Sequence, residues 1–188
     1  MTDITDEEIA GLVQRGDLAS FSLLMQRYEQ KFIRYGRKFL SDATDIEDIV
    51  QEIFIKVYVN IKSFDLSKRF SPWAYRIAHN EFVNALKKRK SSRIFAFDLD
   101  VLFPQPVSRE TADRGANNGD LRRMLDASMD KISAKYREPL VLYYFEELNY
   151  REIAEIMQIP VATVGVRLGR GKALLKKILS ENNYKHGI

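Results

Sequence analysis

Residues 149–177, with the sequence NYREIAEIMQIPVATVGVRLGRGKALLKK, have the pattern of two helices joined by a tight turn. Helices that cross in such a motif approach closely and need a small residue at the crossing, and Ala154 occupies that place. Gln158, four positions later, stands where the turn requires a left-handed φ angle, which glycine usually supplies. Pro160 prevents the first helix from continuing because it lacks a backbone N–H. The stretch therefore predicts a helix-turn-helix.

The second helix of this motif is basic, which favours DNA binding over the alternative, an ordinary helical hairpin. No acidic residue occurs between Glu155 and Glu181, and a field of this sign attracts phosphates. We take Val164 and Leu168 as the buried face and step about 100° per residue. The outward face is then mostly small or apolar, and its members are Ala162, Val166, Gly169 and Arg170, with Gly165 and Arg167 nearer its flanks.

Composition limits the classes of function. The chain has 188 residues, is 45% hydrophobic and carries a net charge of +4, which suits a nucleic-acid partner. With no cysteine and only His79 and His186, it excludes disulfides, thiolate metal sites and histidine-rich metal sites. The first ten residues lack a signal-peptide pattern, and no stretch approaches the roughly 20 apolar residues of a membrane span. We therefore expect a cytoplasmic protein without membrane insertion.

Helical periodicity dominates the first half and predicts an all-α fold. Apolar residues recur at steps of three and four over residues 18–40, which predicts one long amphipathic helix. Asp45 is a candidate cap for the next helix. The Ser71-Pro72 pair predicts the start of a further helix, with Ser at the cap and Pro at the first position.

The helical pattern fails between about residues 94 and 119, where prolines and the NNG triplet break any helix. A helix is again predicted at 134–147, and Pro139 is expected to be tolerated only near its start. The sequence thus predicts two helical domains joined by a flexible linker. Their bounds are 1–95 for the N-terminal domain, 96–119 for the linker and 120–188 for the C-terminal domain that contains the helix-turn-helix.

Aromatic and basic residues interleave in RFSPWAYRIAHNEFVNALKKRK, residues 69–90. Aromatic faces stack on unpaired bases at about 1–3 kcal/mol per base, while cations follow the phosphate backbone. The alternative is that the aromatics belong to the core, which the spacing of Trp73 favours. Tyr75, Arg76 and Asn80 fall off the apolar stripe in our interpretation, so we predict that they are exposed. His79 is interpreted as a packing or surface histidine rather than a ligand.

An acidic helix is predicted at DATDIEDIVQEIFIKVY, residues 42–58, where no basic residue occurs before Lys56. Its carboxylates form either a solvated face with favourable charges near the helix N-terminus or a docking face for a basic partner. A third interpretation is a metal-dependent hydrolase that uses Asp45, Asp48 and Glu52. Asp48 and Glu52 are four residues apart, as paired ligands would be, but no Asp/His cluster elsewhere completes such a site.

In this order, the three motifs resemble the extracytoplasmic-function (ECF) group of bacterial RNA polymerase sigma factors, over nearly the whole chain. The most specific pieces are DIEDIVQEIFIKVY, FSPWAYRIAHN and NYREIAEIMQIPVATVGVRLGRGK. The resemblance implies a sigma factor that binds core RNA polymerase and promoter DNA and directs promoter-specific transcription initiation. It implies no enzymatic activity and no cofactor or metal, and it implies an anti-sigma factor as a further partner.

The resemblance also implies roles for individual residues. The residues expected to bind the clamp helices of the largest polymerase subunit are Asp45, Asp48, Gln51, Glu52 and Lys56. Those expected to recognise and melt the −10 promoter element are Arg69, Trp73, Tyr75, Arg76, Asn80, Lys87, Lys88 and Arg89, with Asn80 at a position that holds a flipped base. Those expected to recognise the −35 element are Thr163, Val166, Arg167, Arg170, Lys172 and Lys176.

This sequence departs from the family pattern in the helix-turn-helix. The family usually has glycine at the place of Gln158 and polar or basic residues at those of Gly165, Val166 and Gly169. Arg170 is consequently the main candidate for a bidentate base contact. The alternative to a sigma factor is a two-domain, ligand-responsive transcription regulator that binds duplex DNA, which would need an apolar pocket in its N-terminal half.

Overall fold

The computed structural model describes residues 4–91, 124–125 and 127–186, and at 89–91 and 182–186 it describes the backbone alone. The expected linker at 96–119 and both domain boundaries lie outside these residues. Within them the chain is all-α, as the sequence predicts. The N-terminal helices are α1 (Asp6–Gln14), α2 (Phe21–Gly36), α3 (Ala43–Asn60) and α4 (Phe70–Ser91). The C-terminal helices are α5 (Ala134–Tyr144), α6 (Tyr150–Met157) and α7 (Val161–His186), and residues 127–130 are also helical.

The cap of α3 is Asp42, so the prediction of Asp45 as the cap is wrong by one turn. The Asp42 carboxylate accepts a hydrogen bond from the Asp45 backbone N–H at 3.2 Å. An N-cap side chain accepts a hydrogen bond from the backbone N–H two or three residues later. Because the helix already begins at Ala43, Asp42 is the aspartate placed to do so, and Asp45 supplies the N–H. The predicted residue type is therefore correct, but the capping aspartate is Asp42 rather than Asp45.

The single long helix predicted over residues 18–40 is interrupted at both ends. A short 3-10 turn at Leu18–Ser20 precedes α2, and Asp17 accepts the Ser20 backbone N–H at 3.3 Å. The helix ends at Gly36, where α2, α3 and α4 converge. A Cβ at Gly36 would lie 2.5 Å from the Phe82 ring and 2.9 Å from Ile46, so the close approach requires glycine there. Phe39 and Leu40 continue the apolar spacing of the helix, but they lie in the turn that follows α2.

The start of α4 is fixed by another helix. The backbone N–H of Phe70, the first residue, donates to Glu7 Oε1 of α1 at 2.7 Å. Ser71 and Pro72 therefore lie inside the first turn rather than at its start. Pro72 is tolerated because the first backbone N–H groups of a helix have no partner within the helix.

The helix-turn-helix forms as predicted. Gln158 takes the left-handed conformation with φ 53° and ψ 46° at the C-terminal cap of α6. Ala154 is buried at the crossing, and Val164 and Leu168 are buried on the inner face of α7. Before it, α5 ends at Tyr144 rather than 147, and Glu147 in the turn that follows has a left-handed φ of 54°.

Pro139 lies at the sixth position of α5, contrary to the expectation that it would be tolerated only near a helix start. A proline at this depth removes one backbone hydrogen bond of the helix. Pro139 is buried among the core residues of the C-terminal domain, and that packing holds the helix in place. The N-terminal helix α4 packs against α6, so the two domains are in direct contact.

Candidate functional site

The acidic face of α3, formed by Asp48, Gln51 and Glu52, is exposed as the sequence predicts. Its inner face is buried in the N-terminal core through Ile46, Val50 and Ile53. Helical spacing of three and four residues keeps the two sets apart, so the carboxylates form one continuous outer surface. Asp45, near the N-terminus of α3, is half-buried.

Two apolar residues extend this acidic face and were missed by the sequence analysis. Ile55 is 56% exposed and Val59 is 69% exposed, one and two turns beyond Glu52 on the same side of α3. The sequence analysis assigned Ile55 and Val59 to neither face of α3. Lys56, expected to bind polymerase, places its Nζ 2.7 Å from Glu81 Oε1 and thus joins α3 to α4. The surface therefore combines carboxylates with exposed aliphatic side chains.

Tyr75 is a core residue, so the prediction that it is exposed for −10 binding is wrong. Its relative exposure is 0%, and its ring packs edge-on against Tyr28, Phe32 and Tyr35 at centroid distances of 5.2–6.5 Å. The buried face of α4 is wider than the apolar stripe drawn from the sequence. It includes Tyr75 beside its neighbour Ala74. Burial raises the Tyr75 pKa, and the nearby Glu146 carboxylate raises it further.

The other residues proposed for the −10 element divide into two groups. Trp73 is half-buried and packs on Phe64 and Phe70, at ring distances of 5.1 and 5.5 Å, which is the core alternative that its spacing favours. Asn80 is half-buried. The exposed members are cations, and the side chain of Arg89 lies outside the described residues. These exposed members are Arg69, Arg76, Lys87 and Lys88.

The outward face of α7 matches the predicted one. Ala162, Val166, Gly169 and Arg170 are exposed, and Thr163, Gly165 and Arg167 are half-buried at the flanks. The three glycines of this helix differ in their surroundings. A Cβ at Gly169 would meet nothing within 4 Å, and one at Gly165 would lie 3.6 Å from Tyr150. Gly171 is different, because a Cβ there would lie 2.9 Å from the Tyr136 carbonyl oxygen.

Two tyrosines that the sequence analysis did not single out position cations of α7. The Arg170 guanidinium donates to the Tyr136 hydroxyl, and this hydrogen bond lowers the Tyr136 pKa. Lys172 lies over the Tyr144 ring, with 5.9 Å from Nζ to the centroid. A hydrogen bond with the Tyr144 hydroxyl raises the Lys172 pKa. Helix α5 thus orients two of the predicted DNA-binding cations, whereas Lys176 is exposed farther along α7.

Charged residues of α5 and the turn after it, also missed by the sequence analysis, are buried where the two domains meet. His79 is a packing histidine, as interpreted, but it is also paired, since its Nδ1 lies 2.7 Å from Glu138 Oε1. Arg137 and Glu146 are likewise buried at this contact. Charges within an amphipathic helix are usually assigned to the solvent face, so the sequence gives no signal of this burial.

The chain matches the family model "Sigma-70 region 2" over residues 24–92 and "Sigma-70, region 4" over residues 122–175. It is 34% identical to the ECF RNA polymerase sigma factor SigW of Bacillus subtilis over 177 residues, which cover 90% of this chain and 94% of that one. It is 31% identical to the ECF RNA polymerase sigma-E factor of Escherichia coli, covering 90% and 91% of the two chains.

Two solved structures show the same fold. One is CnrH in complex with the cytosolic domain of CnrY, with a TM-score of 0.65 and 23% identity over 94% of this chain and 97% of that one. The other is the sigma factor RpoE of Bartonella quintana in complex with the anti-sigma factor NepR, with a TM-score of 0.67 and 20% identity over 87% and 98% of the chains.

The matches to regions 2 and 4 occur in the order of the predicted motifs, and they do not favour the ligand-responsive regulator. Among the described residues, no helix has the length and apolar character needed to cross a membrane. Relatives above 30% identity align with this chain over almost their full length. The chain therefore belongs to the ECF group of RNA polymerase sigma factors, the proteins that direct RNA polymerase to promoters for transcription initiation.

Proposed function

We propose that the sigma-factor function is divided between the two domains. Residues 1–95 would bind core RNA polymerase and recognise and melt the −10 element, residues 96–119 would link the domains, and residues 120–188 would recognise the −35 element. The separate matches to regions 2 and 4 support this division. The observation that carries it is that each domain presents its own exposed set of functional side chains, on α3 and α4 in one and on α7 in the other.

The acidic face of α3 is proposed to bind a basic surface of the largest polymerase subunit. Asp48 and Glu52 provide the charge, and Gln51 a neutral hydrogen-bonding group, all exposed. Ile55 and Val59 add apolar area beside them, as the centre of a specific protein interface requires. Asp45 and Lys56 contribute less, because Asp45 is half-buried and Lys56 is paired with Glu81.

On the promoter, Asn80 and Arg76 are proposed to contact unpaired bases of the −10 element, while Arg69, Lys87 and Lys88 hold phosphates. An amide side chain donates and accepts in one short group, which suits the edge of a flipped base. Tyr75 is excluded from this set because it is buried. Trp73 instead packs against Phe70 in the first turn of α4.

On the −35 element, Arg170 is proposed to contact a base in the major groove, and Val166 a thymine methyl group. Arg167, Lys172 and Lys176 would hold phosphates on either side. Thr163, half-buried near the start of α7, would contact the DNA backbone with its hydroxyl. Tyr136 and Tyr144 would position Arg170 and Lys172 from behind.

The experiment that tests this function is run-off transcription with core polymerase on a randomised promoter library. Asp48→Lys with Glu52→Lys should weaken core-polymerase binding about 10-fold or more, since like charges placed together at an interface cost several kcal/mol. Glu29→Lys with Glu155→Lys is the matched control, because it makes the same change in net charge at exposed positions outside the acidic face. Equal affinities of the two variants for core polymerase would refute the docking assignment.

An anti-sigma factor is a further proposed partner, supported by the RpoE structure, whose bound protein is the anti-sigma factor NepR. The proposed site of action is the cytoplasm, where polymerase and chromosome are located. The function requires binding rather than bond chemistry, so we propose that the chain has no enzymatic activity and no cofactor.

A further inference from the structure

One face of α1 contacts the chain that connects α3 to α4. Glu7, Gly11 and Gln14 follow one another at steps of four and three residues, so they lie on the same side of the helix. This face is directed at residues 61–69, which run from the end of α3 to the start of α4. Helix α1 precedes the match to region 2, which begins at residue 24, and none of the proposed polymerase or promoter contacts lies on it.

Gln14 holds the beginning of this connection. Its Nε2 donates to two backbone carbonyl oxygens, that of Ile61 at 2.7 Å and that of Phe64 at 2.8 Å. A primary amide has two N–H donors, and both are used here. The side chains of Ile61 and Phe64 are buried in the N-terminal core. Gln14 therefore fixes the backbone at the two residues that anchor the connection in the core.

Glu7 holds the end of the connection. Its Oε1 accepts a hydrogen bond from the backbone N–H of Phe70 at 2.7 Å, and Phe70 is itself buried. Between Phe64 and Phe70 every residue is exposed, and we call residues 65–69 the exposed segment. Both ends of the exposed segment are thus held by polar side chains from one face of α1.

The exposed segment also lies close to α1 between its ends. Leu66 covers Gly11, where an added Cβ would lie 3.4 Å from Leu66 Cδ1. The acidic residue of the segment, Asp65, is turned back on the segment itself. Its Oδ1 accepts from the Ser67 backbone N–H at 3.0 Å and from the Ser67 hydroxyl at 2.7 Å. The segment therefore has a defined backbone although its side chains are exposed.

Two cations, Lys68 and Arg69, end the exposed segment directly before α4. Lys68 is exposed. Arg69 is proposed to hold a phosphate of the −10 element. Its ion pair with Glu152 has an N–O distance of 3.1 Å, with half of the Arg69 side chain exposed, and a pair of this kind contributes little to stability. Adjacent cations of this kind suit the regularly spaced phosphates of a single strand.

Holding the segment matters because ordering a flexible segment opposes binding. A free loop loses conformational entropy when it binds DNA, and this loss would weaken the contacts of both cations. When Gln14 and Glu7 fix its two ends, that entropy is already lost on folding. The same contacts fix Phe64 and Phe70, against which Trp73 packs at ring distances of 5.1 and 5.5 Å.

We propose that α1 is a positioning element for capture of the unpaired −10 strand. Gln14 and Glu7 hold the exposed segment so that Lys68 and Arg69 meet successive phosphates, and neither Gln14 nor Glu7 touches DNA. The ligand of the segment is the phosphate backbone, so its contribution does not depend on base sequence. This inference rests on the proposed −10 contact of Arg69 and adds Lys68 to the phosphate contacts.

Binding of a labelled single-stranded −10 oligonucleotide to the holoenzyme tests the proposal. The oligonucleotide carries the −10 element of the strongest promoter from the run-off library. Gln14→Met keeps the length of the side chain but removes both donors, and should weaken binding about 10-fold while leaving affinity for core polymerase unchanged. Gln30→Met, the same substitution at an exposed position of α2, is the matched control and should not weaken binding. Unchanged binding by a folded Gln14→Met variant would overturn the proposal.

Salt dependence separates a positioning role from a loss of stability, which would lower binding equally at every salt concentration. The slope of log K against log salt should flatten by about 0.7 in Lys68→Gln and by about 1.4 in Gln14→Met, at about 0.7 per phosphate contact of a single strand. Adding Lys68→Gln to Gln14→Met should cause no further loss. Additive losses would overturn the proposal, because Lys68 would then hold its phosphate without Gln14.

Trp73 is the only tryptophan of the chain and therefore reports on the packing around Phe64 and Phe70. In the free full-length chain, Gln14→Met should increase the quenching of Trp73 emission by acrylamide, because release of the Phe64 carbonyl loosens that packing. Gln30→Met should leave the quenching unchanged. Weaker oligonucleotide binding with unchanged quenching would make Gln14 itself a DNA contact and overturn the positioning role.

Glu7 provides the second pair of variants if Gln14→Met does not fold. Glu7→Gln keeps an oxygen that accepts the Phe70 N–H and should retain oligonucleotide binding. Glu7→Met makes the same change in net charge but removes the acceptor, and should weaken binding and flatten the salt dependence. Equal affinities of the two Glu7 variants would overturn the role of α1.

Failure of the positioning role is distinguishable from failure of the promoter contacts. If Lys68→Gln and Arg69→Gln flatten the salt dependence but Gln14→Met and Glu7→Met do not, only the role of α1 is wrong. If Lys68→Gln and Arg69→Gln leave the salt dependence unchanged, the proposed phosphate contact of Arg69 is wrong, and the inference about α1 is wrong with it.

Discussion

Substituting each of two glycines of α7 by alanine gives a comparison in which the change in helix propensity is the same for both variants. Gly169 and Gly171 are two residues apart in the same helix, and each should gain about 1 kcal/mol of helix stability on substitution by alanine. A methyl group at Gly169 meets nothing within 4 Å. A methyl group at Gly171 would lie 2.9 Å from the Tyr136 carbonyl oxygen and 3.0 Å from Leu140. The difference between the two variants therefore measures the packing of α5 against α7.

The magnitude follows from which atoms can move. Leu140 can change rotamer, but the Tyr136 oxygen belongs to the backbone of α5, so the two helices must separate by several tenths of an ångström. Overpacking of this kind costs about 1–3 kcal/mol. We expect Gly169→Ala to stabilise the chain by about 1 kcal/mol and Gly171→Ala to be neutral or destabilising by up to about 2 kcal/mol.

Thermal and urea unfolding of the two variants measure this difference, at about 2–4 °C per kcal/mol for a chain of this size. Equal stabilisation by both substitutions would refute the packing argument. The same pair tests function, because Gly169 lies on the outward face and Gly171 on the inward face. If the α7 backbone approaches DNA at Gly169, Gly169→Ala should stabilise the protein while weakening −35 binding.

Three further predictions concern the core, the buried His79–Glu138 pair and the −35 face. Tyr75→Phe removes a buried hydroxyl that makes no hydrogen bond of standard geometry but lies near the Glu146 carboxylate, so urea unfolding should show a stability within about 1 kcal/mol of the unaltered chain, and a loss of several kcal/mol would show that the hydroxyl donates to Glu146. His79→Gln should lower the free energy of urea unfolding more at pH 6 than at pH 8.5, because the protonated ring pairs with Glu138 and this contribution is lost as the pH rises through the raised His79 pKa, and an equal loss at both pH values would assign the titration to another group. Arg170→Ala should cost about 1–3 kcal/mol on the preferred −35 sequence and relax the preference at one or two positions, whereas Lys176→Ala should weaken all sequences alike and flatten the salt dependence. Equal loss on every member of a −35 mutant panel would make Arg170 a phosphate contact.

The sequence predicts the helix-turn-helix and the acidic face of α3 because both depend on local spacing. Gln158 takes a left-handed φ because the turn before Pro160 requires it, whatever surrounds it. The outward face of α7 follows from the helical repeat once Val164 and Leu168 are buried. Asp48 and Glu52 are exposed for the same reason. Residue type and periodicity decide such features, so they are available without the tertiary structure.

Features that depend on partners distant in sequence are decided by the tertiary structure alone. The start of α4 is set by Glu7, 63 residues away, and the burial of Tyr75 by rings from α2. Glu138 meets Tyr35 across 103 residues. A charged residue in a helix has the same local pattern on a solvated face as in a buried ion pair, because the energy that distinguishes them is the desolvation of that charge and its compensation by a partner. Only the packing of the C-terminal helices against α2 and α4 brings such partners together, because it removes the charge from water and supplies the partner in the same step.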